Sequence, residues 1–250
     1  KLKMILTKKL PFYKNKPKIR VMNYMVWVFI LSFLPGQTYN LTVLGIKIGE
    51  INLKKNNSES IQISIKSTGL INYFWPFDNL YKTTFDTVTY GIRFYEKKIH
   101  QGEFKQKLKG VWMPEQRGVL YGTSLAMRPD DCQTIFTILA RVSRQKAKDL
   151  DTKWYQMEHE GELFKARLLW ADSINVWTGN DSIFCDHYRL DIDSTKNKIK
   201  ILDQTDYFSE NITRSNLIKQ LWVEKSGERK IIQASVQMSR LTMKAIINLE

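Results

Sequence analysis

The chain has 250 residues, enough for one domain with a substantial core, and its 43% hydrophobic and 12% aromatic content excludes a disordered or linker-like chain. Its formal net charge is +14, but residues 1–20 hold eight of the 39 basic residues and no acid. The other 31 basic residues face 25 acids, so the rest of the chain has the charge of an ordinary surface, and nucleic acid is not expected as a partner.

Residues 1–36 have the pattern of a basic segment followed by a secretory signal peptide. The uncharged run 21–36 contains a stretch of ten residues, Met25–Leu34, that is interrupted by a single serine, and the run ends in Pro-Gly. This stretch is shorter than the roughly 20 residues that a membrane-spanning helix needs. A basic block, a short apolar run and a small residue are typical of a signal that directs export. The alternatives are an uncleaved membrane anchor and a buried core segment.

The stretch "LTVLGIKIGEINL", residues 41–53, alternates between apolar and polar residues with the period of a half-buried strand. Its apolar face changes sides at Gly45 and again at Gly49. A phase change of one residue is what a bulge or a sharp bend produces, and glycine tolerates both. The pattern predicts a strand pair or a long strand that is bent twice, with Gly45 and Gly49 in a structural role. Such bends curl a sheet around its apolar face.

The segment "GLINYFWPFDNLY", residues 69–81, concentrates aromatic side chains around one proline. A strand buries about half of its side chains, so the others either pack in loops or line a site. We therefore take these aromatic residues as candidates for the mouth of an apolar ligand site, with closure of one end of the core as the alternative. The candidates are Tyr73, Phe74, Trp75, Phe77 and Tyr81.

The next two patterns are a strand and a helix. In "EFKQKLKGVW" the lysines Lys105, Lys107 and Lys109 share one strand face and Phe104, Leu108 and Trp112 share the other, which favours a solvated strand face for the lysines. In "RPDDCQTIFTILARV" the apolar residues have helical spacing, which predicts a helix over about 131–142 with Asp130 or Asp131 as its N-cap. The charged stretch that follows is expected to be a loop.

The second half of the chain returns to strand patterns, and its last two, "RKIIQASVQM" and "LTMKAIINLE", are typical of an antiparallel hairpin with one buried face. The fold class is therefore mainly β. We expect a single β-rich domain over residues 37–250, built as one antiparallel, strongly curved or barrel-like sheet with one short helix.

Few residues point to chemistry. Cys132 and Cys185 are the two cysteines, and their spacing leaves open whether they form a disulfide or are buried thiols. His187 shares a strand phase with Asp191 and Asp193, but a polar solvent face explains this pattern better than a metal site does. No metal site and no cofactor is expected. No motif of a nucleophile or a phosphate-binding loop occurs, so catalysis is not the favoured interpretation.

Four segments carry a resemblance to a known family: "VLGIKIGEINL", the aromatic segment, "RPDDCQTIFTILARV" and "LWVEKSGERKIIQASVQMSRLTMKAIINL". In this order they resemble the domain-of-unknown-function 3108 family of exported bacterial proteins, over roughly Thr38–Leu249. The match departs from the family pattern near Glu224–Ser226, where the family has Asp-Asp, and before the final hairpin, where it has proline. The resemblance implies a secreted or periplasmic β-protein and supplies no catalytic residues.

Three function classes follow from these patterns. The first is an envelope protein whose curved sheet binds or carries a lipid or another apolar small molecule. The second is an assembly factor that binds another envelope protein. The third is a hydrolase of an envelope polymer that uses two carboxylates brought together by folding. Contact with a membrane is expected only through residues 21–36 or the aromatic segment 69–81.

Overall fold

A computed structural model describes residues 36–249, and within them fourteen strands form one antiparallel sheet. The predicted signal segment lies outside the described residues. The strands of the first half are β1 Gln37–Val43, β2 Ile46–Asn57, β3 Ser60–Ser67, β4 Asp78–Phe85, β5 Ile92–Gln101, β6 Phe104–Met113, β7 Gly118–Tyr121 and β8 Ser124–Met127. Those of the second half are β9 Trp154–His159, β10 Glu162–Trp177, β11 Ser182–Lys198, β12 Ile218–Glu224, β13 Ile231–Met238 and β14 Leu241–Asn248.

The strand order is β8-β7-β6-β5-β4-β3-β2-β1-β14-β13-β12-β11-β10-β9. Each half of the chain is thus a simple meander, and β1 joins the two halves by pairing with β14, with Leu41 opposite Ala245. The edges are β8 and β9, which do not pair with each other, so the sheet is not closed. The mainly β fold class and the single antiparallel sheet predicted from the alternation are confirmed.

The sheet curves until its two edges approach each other. Arg128, just after β8, forms a buried ion pair with Glu158 in β9. The chain segment between β8 and β9 lies alongside β9, where the backbone N–H of Glu158 donates to the carbonyl oxygen of Gln133 at 2.7 Å. The concave face buries a continuous apolar core, which includes Tyr39, Leu41, Leu53, Ile63, Ile65, Phe85, Ile92, Leu168, Tyr188, Ile192, Leu221 and Ile247.

The two phase changes in residues 41–53 have different physical causes. Leu44 and Gly45 form the two-residue turn between β1 and β2, and both have a positive φ, of 53° and 80°. At the second change, Leu41 is opposite Gly49 but Thr42 is opposite Lys47, so one extra residue bulges out of β2. A Cβ at Gly49 would lie 2.5 Å from the carbonyl oxygen of Lys66 in β3, which is closer than side chains approach. The bulge therefore lets β2 and β3 approach where only glycine fits.

Four short helices lie among the described residues, whereas the sequence predicted one. They are α1 Ile71–Phe74, α2 Ile135–Val142, α3 Ala147–Leu150 and α4 Tyr207–Thr213. Helix α2 corresponds to the predicted helix, but it begins four residues later than expected. Thr134 is its N-cap in place of Asp130 or Asp131, because Thr134 and Thr137 bond to each other's backbone N–H in a capping box.

Candidate functional site

The concave face of the sheet, together with α2 and α4, lines a half-open apolar cavity of about 170 Å³. This is close to the size of engineered apolar cavities, about 150 Å³, that stay dry and bind benzene. The floor consists of side chains from β1, β2, β3, β12, β13 and β14. The lining comprises Tyr39, Leu41, Ile51, Leu53, Ile63, Ile65, Ile135, Phe136, Leu139, Phe208, Ile212, Leu221, Ile231, Ala234, Ser235, Val236, Met243 and Ala245.

The cavity offers almost no polar group to a ligand. The hydroxyl of Tyr39 donates either to the carbonyl oxygen of Ile231 at 2.9 Å or to the side-chain oxygen of Gln37 at 2.7 Å. Burial raises the pKa of Tyr39, so its phenol stays neutral. The other polar residue of the lining is Ser235. A polar molecule would lose its bonds to water here without replacement, so the cavity suits an apolar molecule.

Helix α2 forms one part of the roof because its apolar face turns toward the sheet. Ile135, Phe136 and Leu139 contribute to the lining. The C-terminal turn is fixed by Arg141, whose guanidinium lies over the rings of Tyr90 at 4.3 Å and Tyr155 at 4.6 Å. A cation at this end also complements the helix dipole. The helix is thereby held at both ends, since Thr134 caps its start.

Helix α4 forms the other part of the roof, with Phe208 and Ile212 in the lining. It is attached to the sheet by its N-cap, Asp206. One carboxylate oxygen of Asp206 accepts from the hydroxyl of Tyr81 at 2.6 Å and from the N–H of Ser209 at 3.1 Å. The other accepts from the ammonium of Lys97 at 3.2 Å.

Lys97 is buried at the centre of this ionic cluster. Its ammonium pairs with Glu160 at 2.5 Å as well as with Asp206, and it donates to the hydroxyl of Thr205 at 3.1 Å. Burial raises the pKa of Asp206, but the charge of Lys97 and the hydrogen bonds from Tyr81 and Ser209 together lower it by more. The pKa of Asp206 therefore lies below its usual value. The cluster thus joins β4, β5, the β9–β10 turn and the start of α4 through buried ion pairs and hydrogen bonds.

A second ionic group lies at the junction of the two sheet edges. Glu158 pairs with Arg128 and accepts from the hydroxyl of Tyr121 at 2.9 Å and from the N–H of Gly161 at 2.6 Å. Burial and then the charge of Glu158 raise the pKa of Tyr121 well above its usual value, so its phenol remains a donor. Glu158 and Asp206 are therefore each bound to a cation and to hydrogen-bond donors, as carboxylates with structural roles are.

The five aromatic candidates do not form one site. Tyr73 and Phe74 lie in α1 and point to solvent, with 87% of Tyr73 exposed. Trp75 is partly exposed and packs edge-on against Phe77 and Tyr207. Phe77 and Tyr81 are core residues, each 2% exposed. None of the five lines the apolar cavity, although Tyr81 holds the helix that covers it.

The residues considered as a possible metal site, His187, Asp191 and Asp193, do not come together either. His187 pairs with Asp172 at 3.0 Å, while Asp191 binds Arg167 and Arg189, so the three residues of the common phase do not converge. Over residues 36–249, no group of three or more His, Cys, Asp or Glu side chains is placed to hold a metal ion. Likewise, none of the helices in that range is long and apolar enough to cross a bilayer.

Cys132 and Cys185 are both buried free thiols. Cys132 precedes α2 instead of lying within it, while Cys185 is in β11 as the strand pattern predicted. Burial raises the pKa of Cys185 to about 12, so this thiol is protonated at neutral pH and behaves as a small apolar residue.

Two parts of the site were not predicted from the sequence, although each has a signal there. Helix α4 lies in a stretch with weak patterning, but Asp206 followed by Ser209 and Glu210 is a typical helix start. Lys97 has the same strand phase as Tyr95 and Ile99, both of which are buried. A lysine in the apolar phase of a strand indicates a buried ion pair.

Comparison with known proteins shows the fold but not a family. No family model matches the chain, and no curated protein matches it. Membership in the domain-of-unknown-function 3108 family therefore stays a prediction. The chain is similar in structure to a beta-barrel-like protein of domain of unknown function DUF1849 from Brucella abortus, with a TM-score of 0.54 and 7% identity over 85% of this chain and 94% of that one. The two proteins share a fold of β-barrel-like type.

A second solved structure, the hypothetical lipoprotein YmcC from Escherichia coli K12, aligns over 94% of this chain and 97% of its own. Its TM-score is 0.38 and its sequence identity is 11%, values that do not establish a common fold.

Proposed function

We propose that this protein binds a small apolar molecule, or the end of an acyl chain, in the cavity between the curved sheet and helices α2 and α4. The observation that carries this proposal is the apolar lining of the cavity. The hydroxyl of Tyr39 in this lining already donates a hydrogen bond within the protein. Filling such a void removes apolar ligand surface from water and restores dispersion contacts that the lining lacks. The chemistry of the ligand is thus set by the cavity, which selects for size and the absence of polar groups.

Helix α4 gives this cavity a means of access. Phe208 and Ile212 cover the void, and α4 is held to the sheet at its N-cap by the cluster around Lys97. A helix of seven residues has little stability of its own. Release of this attachment would let α4 move away while the fourteen-stranded sheet stays intact, so the half-open cavity would open further on that side.

Calorimetric titration with 1-octanol tests the proposal. We expect binding with a negative heat-capacity change, the mark of buried apolar surface. Ala234→Leu replaces a methyl group of the lining by an isobutyl group, and it should abolish binding while stabilising the fold by about 0.5–2 kcal/mol, as cavity filling does. Gln237→Leu, at an exposed position of the same strand, is the matched control and should bind octanol like the wild type. Equal binding by Ala234→Leu and the wild type would refute the proposal.

We also propose that the protein is exported. The support is the basic block and the short apolar run of residues 1–36, which precede the β domain. N-terminal sequencing of the protein from the bacterium that makes it should give a start between about Pro35 and Tyr39. A mature soluble form that still contains Met22 would contradict export by a cleaved signal.

A further inference from the structure

One end of the sheet exposes apolar side chains in three neighbouring connections. The β1–β2 turn, the β3–β4 connection that contains α1, and the β13–β14 turn all lie at this end, because β1 pairs with both β2 and β14 and Gly49 pairs with Ser67. We call this end the Leu44 end. Its large exposed apolar residues are Leu44, Ile46, Leu70, Tyr73, Phe74 and Leu241.

The turn at Leu44 keeps an apolar residue where the backbone does not favour one. Leu44 is 68% exposed and has a φ of 53°, followed by Gly45 with a φ of 80°. Two positive φ angles define a hairpin turn in which asparagine, aspartate or glycine is preferred at the first central position. Leucine here is costly for folding and, being exposed, adds nothing to the core. An apolar residue at this position indicates a surface that contacts something apolar.

Two cations beside this turn indicate the charge of the surface that it contacts. Arg240 and Lys244 line a groove of about 420 Å³ on the outer side of the β1–β14 pair, together with Leu44 and Ile246. Neither cation has a carboxylate partner within residues 36–249, whereas Lys47 nearby is paired with Glu50. The Leu44 end therefore combines projecting apolar side chains with unneutralised positive charge.

The β10–β11 hairpin at the opposite end of the sheet differs in charge. This hairpin also exposes aromatic residues, including Trp177, but Asp172 and Asp181 lie on it. Exposed apolar and aromatic side chains next to unpaired cations complement an anionic lipid surface, where the rings reach the headgroup level and the cations meet phosphates. An acidic hairpin does not have this charge complementarity.

We propose that the Leu44 end docks on a bilayer containing anionic phospholipid, with Leu44 and Ile46 inserted below the headgroups and a lipid phosphate bound in the groove between Arg240 and Lys244. Tyr73 and Phe74 of α1 lie at the same end and contribute a second apolar contact. This proposal does not depend on occupation of the apolar cavity, because its residues lie outside the cavity lining.

The test places a polarity-sensitive NBD label on the full-length protein at Leu44→Cys and, as a matched control, at Val88→Cys. Val88 is 81% exposed and lies in the β4–β5 connection, at the opposite end. The native thiols Cys132 and Cys185 are buried, so labelling is selective for the new cysteine. Vesicles of phosphatidylcholine alone, or with phosphatidylglycerol, are added in the absence of any cavity ligand. Residues 1–35 are identical in both proteins, so the comparison is between two label positions on the same chain.

We expect the fluorescence emission of the label at position 44 to shift to the blue with phosphatidylglycerol vesicles and to respond much less to pure phosphatidylcholine. The emission of the label at position 88 should not change with either. Adding Arg240→Gln and Lys244→Gln should raise the lipid concentration for half-maximal shift by about fivefold per charge removed. Leu44→Asn should stabilise the turn yet weaken vesicle binding, which separates a surface role from a folding defect. An equal response of the two labels, or no response of the label at position 44, would overturn the proposal.

Discussion

Replacing Lys97 by methionine tests the attachment of α4 to the sheet. The ammonium of Lys97 lies 2.5 Å from Glu160 and 3.2 Å from Asp206, and the three side chains are almost completely buried. Methionine preserves the length and apolar stem of lysine but leaves two buried carboxylates without a cation. Breaking a buried pair by removing one partner typically costs about 3–5 kcal/mol, and we expect a loss of that size in the free energy of unfolding.

The pH dependence of this variant is a sharper criterion than the loss itself. In the wild type the pKa of Asp206 is below its usual value, so its contribution to stability is present above the unfolded-state pKa and disappears as the pH falls through the folded-state pKa. In Lys97→Met the lowering effect of Lys97 is gone and burial raises the pKa. Asp206 then gains a proton on folding, so the variant should become more stable as the pH falls from 7 toward 5, while the wild type should not.

Urea unfolding of both proteins, followed by tryptophan fluorescence at several pH values, measures this difference. Lys98→Met is a suitable control, because Lys98 is the next residue in β5 but is exposed and lies 3.5 Å from a single carboxylate, Glu96. It should change stability by less than about 0.5 kcal/mol. If Lys97→Met and Lys98→Met had similar stabilities and similar pH profiles, the reasoning about the buried cluster would be refuted.

Three further predictions concern other parts of the fold. Gly49→Val should lower the free energy of unfolding by at least about 1–3 kcal/mol, since its Cβ would collide with the carbonyl oxygen of Lys66; a neutral effect in urea melts would show that β2 and β3 can separate there. Phe77→Ala should cost about 3–5 kcal/mol whereas Tyr73→Ala should stay within about 0.5 kcal/mol, and similar losses from both would contradict their different burial. Cys132 and Cys185 should not react with Ellman's reagent in the folded protein, but both should do so in denaturant; fast reaction of the native protein would refute their burial.

Strand alternation was sufficient to predict the fold class, because residues such as Ile61, Ile63 and Ile65 have no other way to bury one face. The order of strands in the sheet was not predicted, since the pairing of β1 with β14 joins the two ends of the β domain and leaves no local pattern. Short helices were missed for a related reason. Helix α4 is held by Asp206 and Lys97, which are far apart in the sequence, so its own apolar periodicity is weak.

The aromatic segment shows the limit of reasoning from composition. Tyr81 lies in β4 and Phe77 immediately precedes it, and both are core residues. Tyr73 and Phe74 lie in the short helix α1 and are exposed to solvent. Sequence alone gives the same weight to all of them. The residues that line the apolar cavity could not be predicted, because the cavity arises where side chains from six strands and two helices fail to fill the space between them.

Mass spectrometry of a solvent extract from the native protein tests the binding of an apolar molecule most directly. The wild type and Ala234→Leu should be purified in parallel from the bacterium that makes the protein and extracted without added ligand. We predict an apolar compound in near-equimolar amount with the wild type and its loss from Ala234→Leu, with both proteins folded. Extracts of the same composition from the two proteins, or no apolar compound from the wild type, would contradict the proposed function.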